Sequence, residues 1–255
     1  MKIGIIQGRL SEPREGFQEC PVNWQKEFNL LSPLELSHIE WIVTKRNYWP
    51  NPIFSTQNID ISQVSSVCAD FFVDDIFENF TLLKNYMRPF CNAVSGHGIR
   101  GVTIPLLENS SVESEAVRAA FINFILPYSE MFPYLNFSFE AELGHKELLE
   151  IVSLADNFYV TYDTGNMTSF GVNHSEYIRA VGHKINNVHL KDRTYDAKTV
   201  NPGKGDTNFH LVFKELKKIG YNGNYTIQTA RGERGEEIET ILKHKKFFEE
   251  LYNEQ

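Results

Sequence analysis

The chain has 255 residues, 42% of them hydrophobic and 23% charged, and this much apolar material excludes a disordered segment because it can offset the entropy of ordering. A formal net charge of −8 argues against general nucleic-acid binding, which depends on neutralising phosphates, although a local basic pocket is compatible with it. No apolar run approaches the roughly 18 residues needed to cross a bilayer. The opening MKIGIIQGRL is too short and polar for a signal peptide. The odd set Cys20, Cys68 and Cys91 fits reduced thiols. A soluble, cytoplasmic protein with neither a nucleic-acid nor a membrane partner is the expectation.

Short apolar runs alternate with longer stretches of helical periodicity. In chain order the strand candidates are residues 2–7, 38–44, 64–69, 100–105, 135–140, 158–163, 185–190 and 224–229. Helical segments fit between most of them. The stretch SVESEAVRAAFINFILPYSEMF begins with serines and acids, as a capped helix does. FHLVFKELKKIGYNG ends in lysines and then Gly220, as helix C-termini do. Residues 8–23 and 45–60 are the least regular and read as loops. No Pro-, Gly- or Ser-rich linker divides the chain, so residues 1–255 are expected to form one domain. Eight strands in this length predict a single α/β domain, a (β/α)8 TIM barrel, with a doubly wound open sheet as the competing architecture.

In such barrels function sits at the C-terminal ends of the strands. Polar residues collect there: Glu40 in the second strand, Glu140 closing the fifth, Asp163 closing the sixth, His189 near the end of the seventh and Gln228 in the eighth. Alternation along NFSFE, FYVTYD, NNVHLKDR and NYTIQT lets these side chains share the inward face. Buried carboxylates need partners, and a Glu, an Asp and an imidazole converging on one point are natural ligands for a divalent cation. Taken singly, Asp163 reads equally well as a helix cap, and a lone strand histidine as a satisfied core residue. It is the cluster on successive strands that points to chemistry.

The motifs MKIGIIQGRLS, HIEWI, SVCADFF, FSFEAEL, YDTGNM, NVHLKDR, GKGDTNF and YTIQTAR, in this order, resemble those of the xylose-isomerase-like sugar phosphate isomerase/epimerase barrels. Hexulose epimerases, hydroxypyruvate isomerases, inosose dehydratases and apurinic endonucleases share that superfamily. The resemblance covers nearly the whole chain, and fold alone does not choose among these activities. It implies a metal site of Glu140, Asp163, His189 and Gln228 holding Mn, Mg, Zn or Co. In relatives the last position is a glutamate. A carboxamide oxygen still ligates a hard cation, yet it removes one negative charge and cannot accept a proton.

Proton exchange between two opposed glutamates therefore fails here. A one-base reaction remains, in which Glu140 moves the proton of an enediolate on a small sugar, sugar phosphate or polyol. Dehydration of a keto-polyol suits the same groups, and a catalytically degenerate carbohydrate-binding barrel is the non-enzymatic alternative. Lys191 is a second candidate acid, base or oxyanion stabiliser. The resemblance also implies sugar contacts from Glu40 and Asn166, and a homodimer, since barrels of this family often pair.

Arg193 and Arg231 flank the mouth, where a guanidinium fork would suit a phosphate or carboxylate. The amides of NPGKGDTNF could help cradle an anion. Gln7 and Arg9 are candidates for the pocket floor or rim, Gly165 for a tight turn. An apurinic endonuclease needs several zinc ions and many histidines. Here only His189, with His38 and His97 as weaker candidates, sits near a strand end, which argues against that activity.

Overall fold

Each of the eight apolar runs forms a strand within two residues of its expected bounds: β1 (Lys2–Ile6), β2 (Ile39–Ile42), β3 (Val64–Cys68), β4 (Gly101–Leu106), β5 (Asn136–Ala141), β6 (Phe158–Asp163), β7 (Ile185–Leu190) and β10 (Asn224–Ile227). The computed structural model describes residues 1–13, 18–55, 61–73 and 80–255, so parts of the two irregular loops, 14–17 and 56–60, lie outside the described residues. The strands close in the order β1-β10-β7-β6-β5-β4-β3-β2. All eight are parallel, with β1 pairing β10 through Ile3↔Tyr225 and β2 through Ile6↔Glu40. The architecture is a (β/α)8 barrel and not an open sheet.

Between the strands run α1 (Trp24–Leu31), α2 (Phe80–Gly96), α3 (Glu115–Met131), α4 (His145–Val152), α5 (Thr164–Phe170), α6 (His174–Val181) and α7 (Phe209–Lys218), with α8 (Glu237–Asn253) closing the chain. Helix α7 ends as its sequence predicts, with Gly220 two residues beyond it at φ 72°. A short antiparallel pair, β8 (Asp192–Arg193) and β9 (Thr199–Val200), follows β7.

The hydrophobic core lies between the barrel wall and the helices. Phe139 of β5 meets Phe121 of α3 edge-on at 5.5 Å and Phe158 of β6 at 5.0 Å. Phe71 packs on Phe90 of α2, and Phe213 of α7 on Tyr225 of β10. Burial of each such ring contributes on the order of 2–3 kcal/mol. Phe71 and Phe72 belong to this core, whereas Trp49 is exposed.

The inward face is different. The side chains that meet across the lumen are His38, Glu40, Asn187, His189 and Thr226, all of them buried and polar. Room for the His38 ring comes from Gly4, where an added Cβ would stand 2.4 Å from the imidazole. Alternation thus sends aromatic residues outward and hydrogen-bonding residues inward.

Candidate active site and metal centre

The strand ends bring together three of the four expected ligands directly. Glu140 is the penultimate residue of β5, Asp163 the last of β6 and His189 the penultimate of β7. One ligand atom from each lies within 4.8 Å of the others, and all three residues are buried, so this group could hold a metal ion. His189 Nδ1 stands 3.2 Å from Glu140 Oε2 and 4.0 Å from Asp163 Oδ2. Gln228 follows β10 immediately, its amide tied to Leu190 O at 3.0 Å, and it lines the same cavity.

Gln228 Oε1 is buried and makes no hydrogen bond, while Asp163 Oδ2 and His189 Nδ1, also buried, have only the charged contacts to Lys191 at 2.9 Å and Glu140 at 3.2 Å. A buried polar atom without a partner is costly, and the free Gln228 oxygen beside the Glu140, Asp163 and His189 atoms fits a cation that they would share. The donor set of carboxylates, imidazole and amide oxygen suits Mn²⁺, Zn²⁺ or Mg²⁺ alike. Such a cation and a proton on His189 Nδ1 would exclude each other.

Asp163 serves two purposes through its two oxygens. Oδ1 accepts the backbone N–H of Asn166 at 2.7 Å and caps α5, while Oδ2 stands 2.9 Å from Lys191 Nζ. Burial works to raise its pKa, but Lys191, His189 and the Asn166 amide outweigh it and hold the carboxyl below its usual range. Lys191 also donates to Asn166 Oδ1 at 3.3 Å, and Asn166 Nδ2 donates to Glu140 Oε1 at 2.8 Å. Glu140 therefore keeps one oxygen fixed and turns the other towards His189. Asn166 is 1% exposed and is not in the cavity wall, so it orients Glu140 and does not reach a sugar hydroxyl.

Glu40, expected at the substrate, is fully buried beneath the centre. Its Oε2 lies 3.0 Å from His189 Nε2 and accepts Asn187 Nδ2 at 2.7 Å. Burial opposes its ionisation, yet the charge and hydrogen bond of His189 hold it below the usual carboxylate range. Burial likewise opposes a charged His189, and Glu40 and Glu140 overcome it, pushing that ring well above its ordinary value.

The cavity above these residues measures about 800 Å³. Its wall includes Glu140, Lys191, Arg193 and Gln228, with Gln18, Thr44, Asn47, Cys68 and Asp70 from segments after or at the ends of β1, β2 and β3. The irregular sequence of those segments has no periodicity by which to aim a side chain. Only SVCADFF, which puts Cys68 and Asp70 at a strand end, carried a usable signal.

Several rim assignments change. Arg231 is outside the cavity wall, its Nη1 donating to Gly8 O at 2.8 Å and Ser11 O at 3.3 Å, so it fastens the β1 loop. Arg193 does line the cavity, with Glu142, Ser169 and Thr199 each 3.4 Å from its guanidinium. Gln7 and Arg9 are buried and absent from the wall, and Gln7 Oε1 accepts the amide of Ile42. The amides of Gly203, Gly205 and Thr207 all point at the Asp192 carboxylate, at 2.8, 3.0 and 3.3 Å, which leaves that loop no anion cradle. Gly165 is helical and makes no turn. Its missing side chain admits Lys191, whose Cγ would stand 2.9 Å from a Cβ there.

The three cysteines are free and buried. Among the described residues no helix is long and apolar enough to cross a membrane, and Glu140–Asp163–His189 is the one group that could hold a metal ion.

Comparison with known proteins agrees with the barrel fold. Residues 135–251 match the family model for the xylose isomerase-like TIM barrel. The uncharacterized protein MJ1311 of Methanocaldococcus jannaschii is 32% identical over 126 residues, and the match spans 47% of this chain and 42% of that protein. Among solved structures, the IolI protein with a binding zinc atom superposes with a TM-score of 0.78 at 17% identity, over 100% of this chain and 99% of that one. A D-tagatose 3-epimerase-like protein superposes with a TM-score of 0.71 at 20% identity, over 100% and 99% of the two chains. At these identities the structural likeness carries the fold alone. The family's sequence pattern thus runs across the C-terminal part of the chain, residues 135–251, and the whole chain folds as the closed barrel that these solved structures share.

Proposed function

We propose that the protein is a metal-dependent isomerase or epimerase of a small sugar, sugar phosphate or polyol, with Glu140 as its single base. The observation that carries this reading is the convergence of buried Glu140, Asp163 and His189 atoms within 4.8 Å of one another, with Glu140 also lining an open cavity. The zinc of IolI and the epimerase-like neighbour support the class of chemistry.

Glu140, Asp163, His189 and Gln228 would hold the cation, which supplies a positive charge to polarise a carbonyl and its neighbouring hydroxyl. Glu140 Oε2 removes the proton from the carbon beside the substrate carbonyl and returns it to the adjacent carbon. Its other oxygen stays on Asn166 Nδ2, so the base keeps its orientation through both transfers. The Lys191 ammonium, which lines the cavity beside Asp163, donates to a substrate oxygen as negative charge develops there. Gln228 takes no proton, which confines transfer to one face of the substrate. The chemistry is a suprafacial aldose–ketose shift more readily than a two-base inversion. The same base with loss of a β-hydroxyl would give dehydration, the second reading that the neutral Gln228 allows.

The test follows exchange of carbon-bound protons with D₂O by NMR across a panel of ketoses and aldoses, alongside metal analysis of the purified protein. Wild-type protein exchanges one proton of its substrate, and Glu140→Gln lowers that exchange by at least about a hundredfold. Exchange that survives Glu140→Gln unchanged removes Glu140 as the base. Protein that takes up no divalent ion removes the metal-dependent reading and leaves the carbohydrate-binding alternative.

A further inference from the structure

Glu40 has no place on the cavity wall, yet it sits in contact with the one imidazole of the centre. A carboxylate only accepts hydrogen bonds, so the His189 nitrogen 3.0 Å from it, Nε2, carries a proton. That fixes which way the ring faces: Nε2 down towards Glu40, Nδ1 up towards Glu140 and Asp163. An imidazole free to rotate or to change tautomer would present a lone pair to the centre for only part of the time.

Glu40 is itself held. Asn187, two residues before His189 on the same inward face of β7, donates its amide to Glu40 Oε2 at 2.7 Å. The Asn187 carbonyl accepts the hydroxyl of Thr226 from the neighbouring strand at 3.1 Å. Thr226 Oγ1 then meets His38 Nε2 at 3.1 Å, and His38 Nδ1 meets Ser37 Oγ at 2.8 Å at the opposite end of the lumen. The His38 ring fits there only because Gly4 has no side chain. Five polar groups thus link the floor of the barrel to the back of His189, in a space that barrels of this fold ordinarily fill with aliphatic side chains.

We propose that Glu40 is a positioning residue, which sets the tautomer and orientation of His189 so that Nδ1 faces the cation, and that Asn187, Thr226 and His38 hold Glu40 in that role. This rests on the reading of Glu140, Asp163 and His189 as cation ligands. Loss of a carboxylate behind a ligating histidine lowers metal affinity by about 10- to 100-fold.

The test titrates Zn²⁺ calorimetrically into apo-protein and records the imidazole N–H resonances of ¹⁵N-histidine-labelled protein, both metal-free and Zn²⁺-loaded. In wild type the His189 Nε2 proton is shifted downfield and protected from exchange in both states, and Zn²⁺ binds. Glu40→Gln, isosteric but uncharged, loses that resonance and binds Zn²⁺ about 10- to 100-fold more weakly. Thr226→Val, which is remote from the centre, keeps the resonance and weakens binding a few-fold. Wild-type affinity in Glu40→Gln, or an unshifted, protected Nε2 proton, overturns the proposal. If Glu40→Gln does not fold, unchanged affinity in Thr226→Val overturns it instead. A wild-type chain that binds no Zn²⁺ at all overturns the functional reading above, an outcome distinct from both.

Discussion

Replacement of Lys191 by Met tests how the centre balances its charge. The Lys191 ammonium and the Asp163 carboxylate are 2.9 Å apart with side chains 7% and 1% exposed. At the effective dielectric that suits such sites, their gross attraction is roughly 6 kcal/mol. Removing one partner of a buried pair leaves the other uncompensated and costs about 3–5 kcal/mol. Metal-free Lys191→Met should therefore melt on the order of 10 °C below wild type, since a domain of this size loses about 2–4 °C per kcal/mol. A divalent ion on Asp163 Oδ2 takes over the compensation. In saturating Mn²⁺ or Zn²⁺ the variant should recover most of the difference. Differential scanning calorimetry of both proteins, with chelator and with metal, reads this out. An equal deficit in both conditions would refute the reasoning, because Asp163 would then depend on Lys191 whether or not a cation is bound.

Gln228→Glu should raise cation affinity at least tenfold by supplying a third anionic ligand beside Glu140 and Asp163, measured by competition with a chromophoric chelator. Asp192→Ala should free the amides of Gly203, Gly205 and Thr207, cost about 2–4 kcal/mol and speed hydrogen–deuterium exchange across residues 201–207 while β5 and β6 stay protected. Stability should also fall in mild acid. Burial pushes the His174 ring, between Tyr162 and Thr168, down to about 4. The unfolded chain takes up that proton near pH 6.5 and the folded one only near 4, so the unfolded state binds more protons in between. Roughly 3 kcal/mol is lost as pH drops through this window. Burial lowers His38 and His244 to about 4 as well, so His174→Asn should reduce, without abolishing, the dependence of unfolding free energy on pH between 4 and 6.5 in urea titrations, and an unchanged slope would remove His174 as a source.

What could be read in advance, and what could not, follows from the range of the forces involved. Strand alternation is local, so NFSFE and FYVTYD suffice to aim Glu140 and Asp163, and the barrel then brings them together. Glu40 shows the limit. Its sequence neighbours place it at the end of β2, but only the closed lumen puts it under His189, 149 residues away in the chain. Gly165 and the GKGD loop fail for a related reason. Composition marks both as permissive backbone, while the side chains that use the permission, Lys191 and Asp192, arrive from elsewhere. Arg193 and Arg231 both follow their strands closely, and nothing local says that one lines the cavity and the other staples a loop. Asp163 caps α5 through one oxygen and meets Lys191 through the other, so its capping role leaves the second oxygen available to the centre.

The aromatic packing of this barrel lies outside the strands and its hydrogen-bonding groups lie within them. Mechanical strength and chemical character are therefore written on alternate residues of the same eight segments. A lineage carrying such a barrel can exchange inward-facing residues without touching the rings that keep the cylinder closed. New reactivity can arise one odd-or-even position at a time.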